Sequence, residues 1–467
     1  MTDGATLTRL YLDRVERSRA RAGELLGPLQ TTEDPLLTAF YRGRYLSRPL
    51  FIGRDELDQC YADTERVRAA LVSLPGRLYG DDLAAFARGV GEAGYPVRAL
   101  LRGRTGRVSA MGRADLYACE SGFKLLEYNM GSALTGLENA DLCRALLEHP
   151  LLRGFAAEHQ LGYTDSMREQ VASLLTEAGL DGIGVAGAAP DGGRRPMVVV
   201  TDWPTSFAGP LGGYMRRLAA RWTELGLDAT ACHAGELEAH GGRVWLRGRA
   251  VDVIARMFIG DSLLDPAAPA LIEPVLDAVA RGEVAMFTPL DSEIFGAKAA
   301  LAMLSDERNR HLFSAAELAS FDRILPWTRM LRPGPVTLED GRQPDLLDYA
   351  ARQAGDLVIK PTGSCGGEGV TLGWDPAVSP EQWRAALTAA VATPGSHVIQ
   401  RRVRPVPELF PDENGEMVPW TITWGVFTGA RGYAGIYARG LPSAHADEVV
   451  NLGHGAFAGS CLAPLPG

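Results

Sequence analysis

Lysine is almost missing from this 467-residue chain: of its 47 basic residues only Lys124, Lys298 and Lys360 are lysines. Where a diffuse positive charge suffices the chain uses arginine, so a surviving lysine marks a need for a compact ammonium acting as a point charge. Cysteine is scarce as well. Its six residues are scattered, with no C-x-x-C pair and no histidine at ligand spacing, which excludes a structural zinc site and leaves reduced thiols as the expectation. Cys365 sits inside a glycine-rich stretch, but no histidine lies near it in sequence to activate it as a nucleophile. A basic excess is lacking too: the net charge of -10 excludes a general nucleic-acid binder, which needs a basic face. No apolar run reaches the roughly 18 residues of a membrane span, and the opening "MTDGATLTRLYLDRVERSRA" has no apolar signal core. No membrane partner is expected, and the chain reads as cytoplasmic. What is present, 46% hydrophobic and 22% charged residues, is the composition of a folded protein of several domains.

Four regions follow along the chain. Residues 1–104 read as helical, with amphipathic segments such as "LTRLYLDRVERSRARAGELL" and "DDLAAFARGVGEAG". Residues 105–180 contain "GRADLYACESGFKLLEYNMGSALTGLENADLCRALL", which reads as strand, turn, strand, loop and helix, with "ESG" as the turn. The Gly-, Ala- and Pro-rich "GLDGIGVAGAAPDGGRRP" is a linker candidate. Residues 195–292 then alternate strands ("MVVVTDW", "LDATACH", "VDVIARMFIG", "EVAMFTP") with helices, the pattern of an open, largely parallel α/β sheet whose ligand loops lie at the carboxyl ends of its strands. Two such ends stand out: the loop "TDWPTSFAGPLGG", suited to a carboxylate or phosphate, and "ARMFIGD", which leaves Arg256 and Asp261 near the sheet edge. Residues 293–467 hold the remaining two notable lysines.

One of these, Lys360, ends an apolar run in "DLVIKPTGSCGGEGVTLGW" and is followed by Gly363, Gly366, Gly367, Gly369 and Gly373. Glycines let a hairpin lie against a polyphosphate, where backbone N–H groups replace water and an adjoining lysine offsets charge. The lysine precedes the glycines and a strand follows them, an order that excludes both the Walker A loop and the nicotinamide fingerprint. Taken alone, a tight hairpin with a surface lysine would read the same way.

Several parts agree, however. "VIKPTGSCGGEGV" resembles the ATP-grasp motif, in which a strand ending in Lys-Pro precedes a glycine loop closing over phosphates. Lys298, at the helix start in "FGAKAALAML", is similar to that family's second nucleotide-contacting lysine, and "HVIQRRVRP" to the strand and hinge that face adenine. "GRADLYACESGFKLLEYNMGSA" resembles the family's closing pattern, Arg-x-Asp on one strand and Glu-x-Asn on the next, matched by Arg113, Asp115, Glu127 and Asn129. Residues i and i+2 of a strand share a face, so each pair points one way.

With the carboxylates first, a Rossmann-like region second and the lysine loop last, the layout resembles a circularly permuted ATP-grasp ligase of the glutathionylspermidine synthetase-like or peptide-ligase type. The resemblance spans roughly residues 105–467. It implies an α/β fold, a circularly permuted ATP-grasp core with an inserted Rossmann-like pre-ATP-grasp domain. It also implies the joining of a small-molecule carboxylate, an amino acid or peptide, to an amine through an acyl phosphate, with ATP and Mg²⁺ as cofactors. Residue by residue, it puts Asp115, Glu127 and Asn129 on Mg²⁺, with Arg113 and Arg439 at the transferred phosphoryl group. Lys298, Lys360, Gly363, Ser364, Gly366, Gly367 and Gly369 would hold ATP. Gln400, Arg401 and Val403 would line the adenine hinge, Glu408 would stand at the ribose position, and Ser132, Arg256 and Asn451 would stand near substrate. The hinge departs from the pattern by carrying Arg401, Arg402 and Arg404 where relatives have acidic groups. A phosphotransferase or ATPase on the same site and a non-catalytic nucleotide binder are the competing readings. The permuted layout further requires Glu127 to face Lys360 across one open cleft.

Overall fold

The apolar alternation in "ADLYAC" and "FKLLEYN" becomes the strands Gly112–Cys119 and Gly122–Asn129 of an antiparallel hairpin. Gly122 turns it with φ 97°, a left-handed backbone that a side chain resists. The hairpin does not stand alone. Its first strand pairs with Met417–Gly429, some three hundred residues later; that strand pairs with Gly432–Pro442, which in turn pairs with Phe457–Pro464. The short strand Leu50–Phe51 closes that edge in parallel. The computed structural model describes residues 3–18, 27–132, 134–180, 195–363, 367–412, 416–445 and 449–465. Residues 181–194 of the linker stretch, together with Ser364, Cys365 and Gly366, lie outside the described residues.

Among the described residues the strands make four sheets, so the chain is mixed α/β. The large sheet just described carries the carboxylates. A second, antiparallel sheet runs in the order Thr328–Met330, His397–Arg401, Leu357–Pro361, Thr371–Leu372 and carries Lys360. A third is wholly parallel, in the order Ala285–Phe287, Val253–Arg256, Met197–Asp202, Asp228–His233, matching the parallel α/β pattern read between 195 and 292. The fourth, Leu237–His240, Arg243–Leu246 and Arg249–Val251, is a small meander that the sequence reading passes over.

Helices brace the carboxylate sheet. The 26-residue helix Arg54–Tyr79 buries Val67, Ala70, Leu71 and Leu74 completely, in one core with Leu116, Leu125, Val426 and Ile436 of the sheet. Val67, Leu71 and Leu74 each stabilise by roughly 1.5–3 kcal/mol. The helix Lys298–Ser305 is tied to the lysine sheet by the Lys298 N–H, which donates to the Thr362 carbonyl at 3.0 Å. Both lysines are thereby fixed at the end of one strand, facing the hairpin. No helix among the described residues is long and apolar enough to cross a membrane.

Candidate active site

The hairpin register sets Arg113 opposite Asn129 and Asp115 opposite Glu127, with a bulge just beyond Asp115. All four side chains therefore gather on one face. Asp115 is buried and carries most of the bonding. Arg113 donates to both its oxygens, at 2.7 and 3.0 Å; Asn129 Nδ2 donates to Oδ2 at 3.1 Å; and Arg439 from the neighbouring hairpin lies 2.7 Å from Oδ2. Burial alone would push the Asp115 carboxyl up, but Arg113 and Arg439 hold it well below the usual carboxylate range. Room for Arg113 comes from Gly425 on the adjoining strand, where a Cβ would lie 2.8 Å from Arg113 Cδ. Arg113 also donates to the Thr135 carbonyl at 2.7 Å.

Across from this face stand the lysines. Lys298 Nζ lies 3.1 Å from Glu127 Oε2. Burial would raise the Glu127 carboxyl; the cation of Lys298 overrides that and lowers it. Lys360 donates to Gln400 Oε1 at 2.7 Å and to the Leu126 carbonyl at 3.3 Å, so it bridges from its own sheet to the hairpin. Burial pushes the Lys360 ammonium down to about 8.

Between the two sheets lies a cleft of about 320 Å³, inside the size range of small-molecule sites. Asp115, Glu127, Lys298, Lys360, Gly367, Gln400, Arg401, Val403, Arg439 and Asn451 all line it. Residues more than two hundred positions apart in sequence thus meet, and Glu127 does face the lysines. Gly367 (φ 86°) and Gly369 (φ 71°) take the left-handed backbone only glycine adopts freely; a Cβ on Gly369 would lie 2.8 Å from Pro361 Cγ, so the loop folds back over the lysine strand. Asn129, Ser132 and Gly363 line a smaller cavity beyond Glu127 and Lys298, shared with Glu92, Asp261 and Glu293.

Of the expected site residues among those described, Arg113, Gly369, Glu408 and Arg256 line neither cavity. Glu408 turns away, because its carboxylate is taken by Arg48 at 2.6 Å. Arg256 is fully buried, and its guanidinium is spent on the carbonyls of Thr288, Phe258 and Pro289 and on Glu293. Arg113 sits behind Asp115, and Arg401 reaches the cleft while its guanidinium is held by Glu339 and Tyr349. Asn451 accepts the Gly453 N–H at 2.8 Å, a turn contact. Sequence reading missed Tyr117, Thr421, Thr423 and Trp374, which also line the cleft. Tyr117 lies two residues from Asp115, and Thr421 and Thr423 alternate in "WTITW", so strand periodicity carried their signal. Trp374 forms an apolar wall with Val358, Leu372 and Val403, and the Arg402 guanidinium sits 4.4 Å from its ring centroid.

The chain shares its fold with a glutathione synthetase-like effector. That protein, from Globodera pallida in its apo form, is 10% identical, with a TM-score of 0.55 over 99% of this chain and 98% of that one. Lesser overlaps are with a candidate gamma-glutamylcysteine synthetase from Methylobacillus flagellatus KT (11% identity, TM-score 0.37, 81% and 82% covered) and with D-alanyl-alanine synthetase A from Vibrio cholerae (12% identity, TM-score 0.24, 49% and 67% covered). No protein-family model and no curated protein matches the chain.

Oxygen donors decide which cation the cleft suits. Among the described residues no three His, Cys, Asp or Glu side chains gather to hold a metal by themselves. Glu127 and Asn129 offer hard oxygens beside the lysines, which suits a magnesium ion that takes its other ligands from phosphates and water. Asp115 fits less well, since four donors already occupy its two oxygens.

Proposed function

We propose that the protein is an ATP-dependent carboxylate–amine ligase that forms an amide or peptide bond through an acyl phosphate and releases ADP and phosphate. The observation that carries this reading is the convergence of Lys298, Lys360, Glu127, Asp115 and Arg439 on one cleft between two sheets. A single lysine beside a glycine loop would support only phosphate binding. Two lysines facing a carboxylate and an arginine-clamped aspartate supply both a polyphosphate cradle and a charged floor on which a phosphoryl group can move. A fold shared with a glutathione synthetase-like protein agrees with that chemistry.

In this reading residues 105–180 and 293–467 build a permuted ATP-grasp core, residues 195–292 an inserted Rossmann-like domain, and residues 1–104 a helical flank. The apolar wall of Val358, Leu372, Trp374 and Val403 would hold the adenine base, and Lys298 and Lys360 would hold the phosphates. Glu127 and Asn129 would hold magnesium, which neutralises charge on the phosphoryl group being transferred. Lys360 keeps a cation beside the phosphate chain. Arg439 faces the position where the carboxylate and the phosphoryl group meet, and Asp115 fixes its guanidinium, so little reorganisation is needed as charge develops. Arg113 steadies Asp115 from behind. The amine then displaces phosphate from the acyl group, and its proton is lost as the amide forms.

A screen of ADP release over acids and amines, with mass spectrometry of the product, tests the reading. ADP should appear only when acid and amine are present together, with a product of the summed mass less water. ATP hydrolysis indifferent to both partners would instead assign an ATPase, and phosphorylated product without amide a phosphotransferase.

A further inference from the structure

Gln400 was expected to face the nucleotide base; its hydrogen bonds give it another task. It is 3% exposed and stands diagonally across from Lys360 on the same face of the lysine sheet, where Val358 pairs with Gln400 and Lys360 with Val398. On its other side Gln400 pairs with Thr328. Thr328 is 2% exposed, and its hydroxyl donates to the Pro326 carbonyl at 2.9 Å. A threonine has only one O–H, so toward Gln400 the Thr328 oxygen can only accept. That forces the amide nitrogen of Gln400 to face Thr328, where it donates at 3.0 Å, and turns the amide oxygen toward Lys360 at 2.7 Å. The lysine end demands the same orientation independently, because an ammonium has no acceptor.

From these contacts we propose that Thr328 and Gln400 are positioning residues that aim the Lys360 ammonium into the cleft. Among the described residues one of its three N–H groups is taken by Gln400 and one by the Leu126 carbonyl, and the third is offered to an anion between the sheets. The relay runs from Pro326 through Thr328 and Gln400 across three strands, and every acceptor in it is neutral. It therefore fixes the direction of the charge without cancelling it, as a carboxylate at position 400 would. The inference rests on the reading of Lys360 as a phosphate ligand.

Binding of ATP with magnesium, measured by calorimetry, tests it. Thr328→Val keeps the shape but removes both hydroxyl bonds, and Gln400→Met keeps the volume but removes the acceptor. Each should weaken ATP roughly tenfold, the worth of a hydrogen bond to a charged group, while Thr328→Ser restores wild-type affinity. That rescue separates positioning from packing, since serine lacks the methyl group but keeps the O–H. If Lys360→Ala weakens ATP while Thr328→Val and Gln400→Met bind it as tightly as wild type, the relay is overturned and the ligase reading stands. If Lys360→Ala itself leaves ATP affinity unchanged, the nucleotide reading falls first. Unfolding of both relay variants would also overturn the proposal, because the relay would then be a folding element.

Discussion

The two walls of the cleft handle charge in opposite ways. On the carboxylate wall Asp115 receives two arginines and an asparagine, so its charge is matched within the protein. On the lysine wall Lys360 is bonded, among the described residues, only to the neutral oxygens of Gln400 and Leu126, and burial lowers its affinity for a proton. One wall is complete as folded; the other holds a desolvated cation that an anion would relieve. The Lys298–Glu127 pair joins them, with a cation from the lysine side neutralising a carboxylate of the other. The difference suggests a division of labour in which the first wall is built for rigidity and the second for binding.

Removing Asp115 strikes the self-matched wall hardest. Asp115→Ala leaves Arg113 and Arg439, each 5% exposed, without their carboxylate, and should cost about 3–5 kcal/mol of unfolding free energy in urea titration. Lys360→Ala on the opposite wall should cost little or nothing by the same measurement, since it deletes a half-buried cation that no bonded carboxylate offsets. Equal losses from the two would erase the contrast.

Next in size is Glu127→Gln, which keeps shape and removes charge. Turnover in ADP release should fall roughly a hundredfold or more. ATP affinity without magnesium should hold or tighten, because a negative charge facing the phosphates is removed. Turnover near wild type would show that the pair joining the walls has no part in transfer.

A smaller effect comes from pH. Lys360 titrates near 8 when folded against an ordinary 10.5. Above pH 8 the folded chain therefore binds fewer protons than the unfolded chain, so this group's contribution to stability rises with pH up to the ordinary value. Its attraction for anions runs the other way, and ATP affinity should drop by several-fold between pH 7 and pH 9, a loss absent in Lys360→Ala. A flat profile in wild type would mean that the lysine wall carries no exposed demand for an anion.

Glu408→Ala should change least. Its partner is Arg48, away from the cleft, so ATP affinity should match wild type within error of the titration. A clear loss would extend the binding wall past the hinge.

What could be read from sequence followed what is local. Arg113, Asp115, Glu127 and Asn129 alternate along two strands joined by a short turn, so their common face is written in the spacing, and the lysines stood out by scarcity. The parallel sheet of 197–287 was legible because strands such as "MVVV" and "VIA" are apolar runs that alternate with helical segments. The meander over 237–251 was not, since its strands are three or four residues long and separated by glycines. Glu408 and Arg256 resembled ligand groups because sequence does not tell which side chain or carbonyl will fold against them. Gln400 lines the cleft, but its bond to Thr328 was not legible, because only long-range pairing brings that strand alongside. The arginine clamp on Asp115 likewise depends on Arg439, from a hairpin three hundred residues away.

Calorimetric titration of ATP with magnesium into wild type and Lys360→Ala tests the central claim most directly, because that claim places the phosphates between Lys360 and Glu127. Saturable one-site binding by wild type, weakened tenfold or more in Lys360→Ala with the thermal transition unchanged, is the predicted result. No ATP binding by the wild-type chain, or equal affinity in both proteins, would contradict the account.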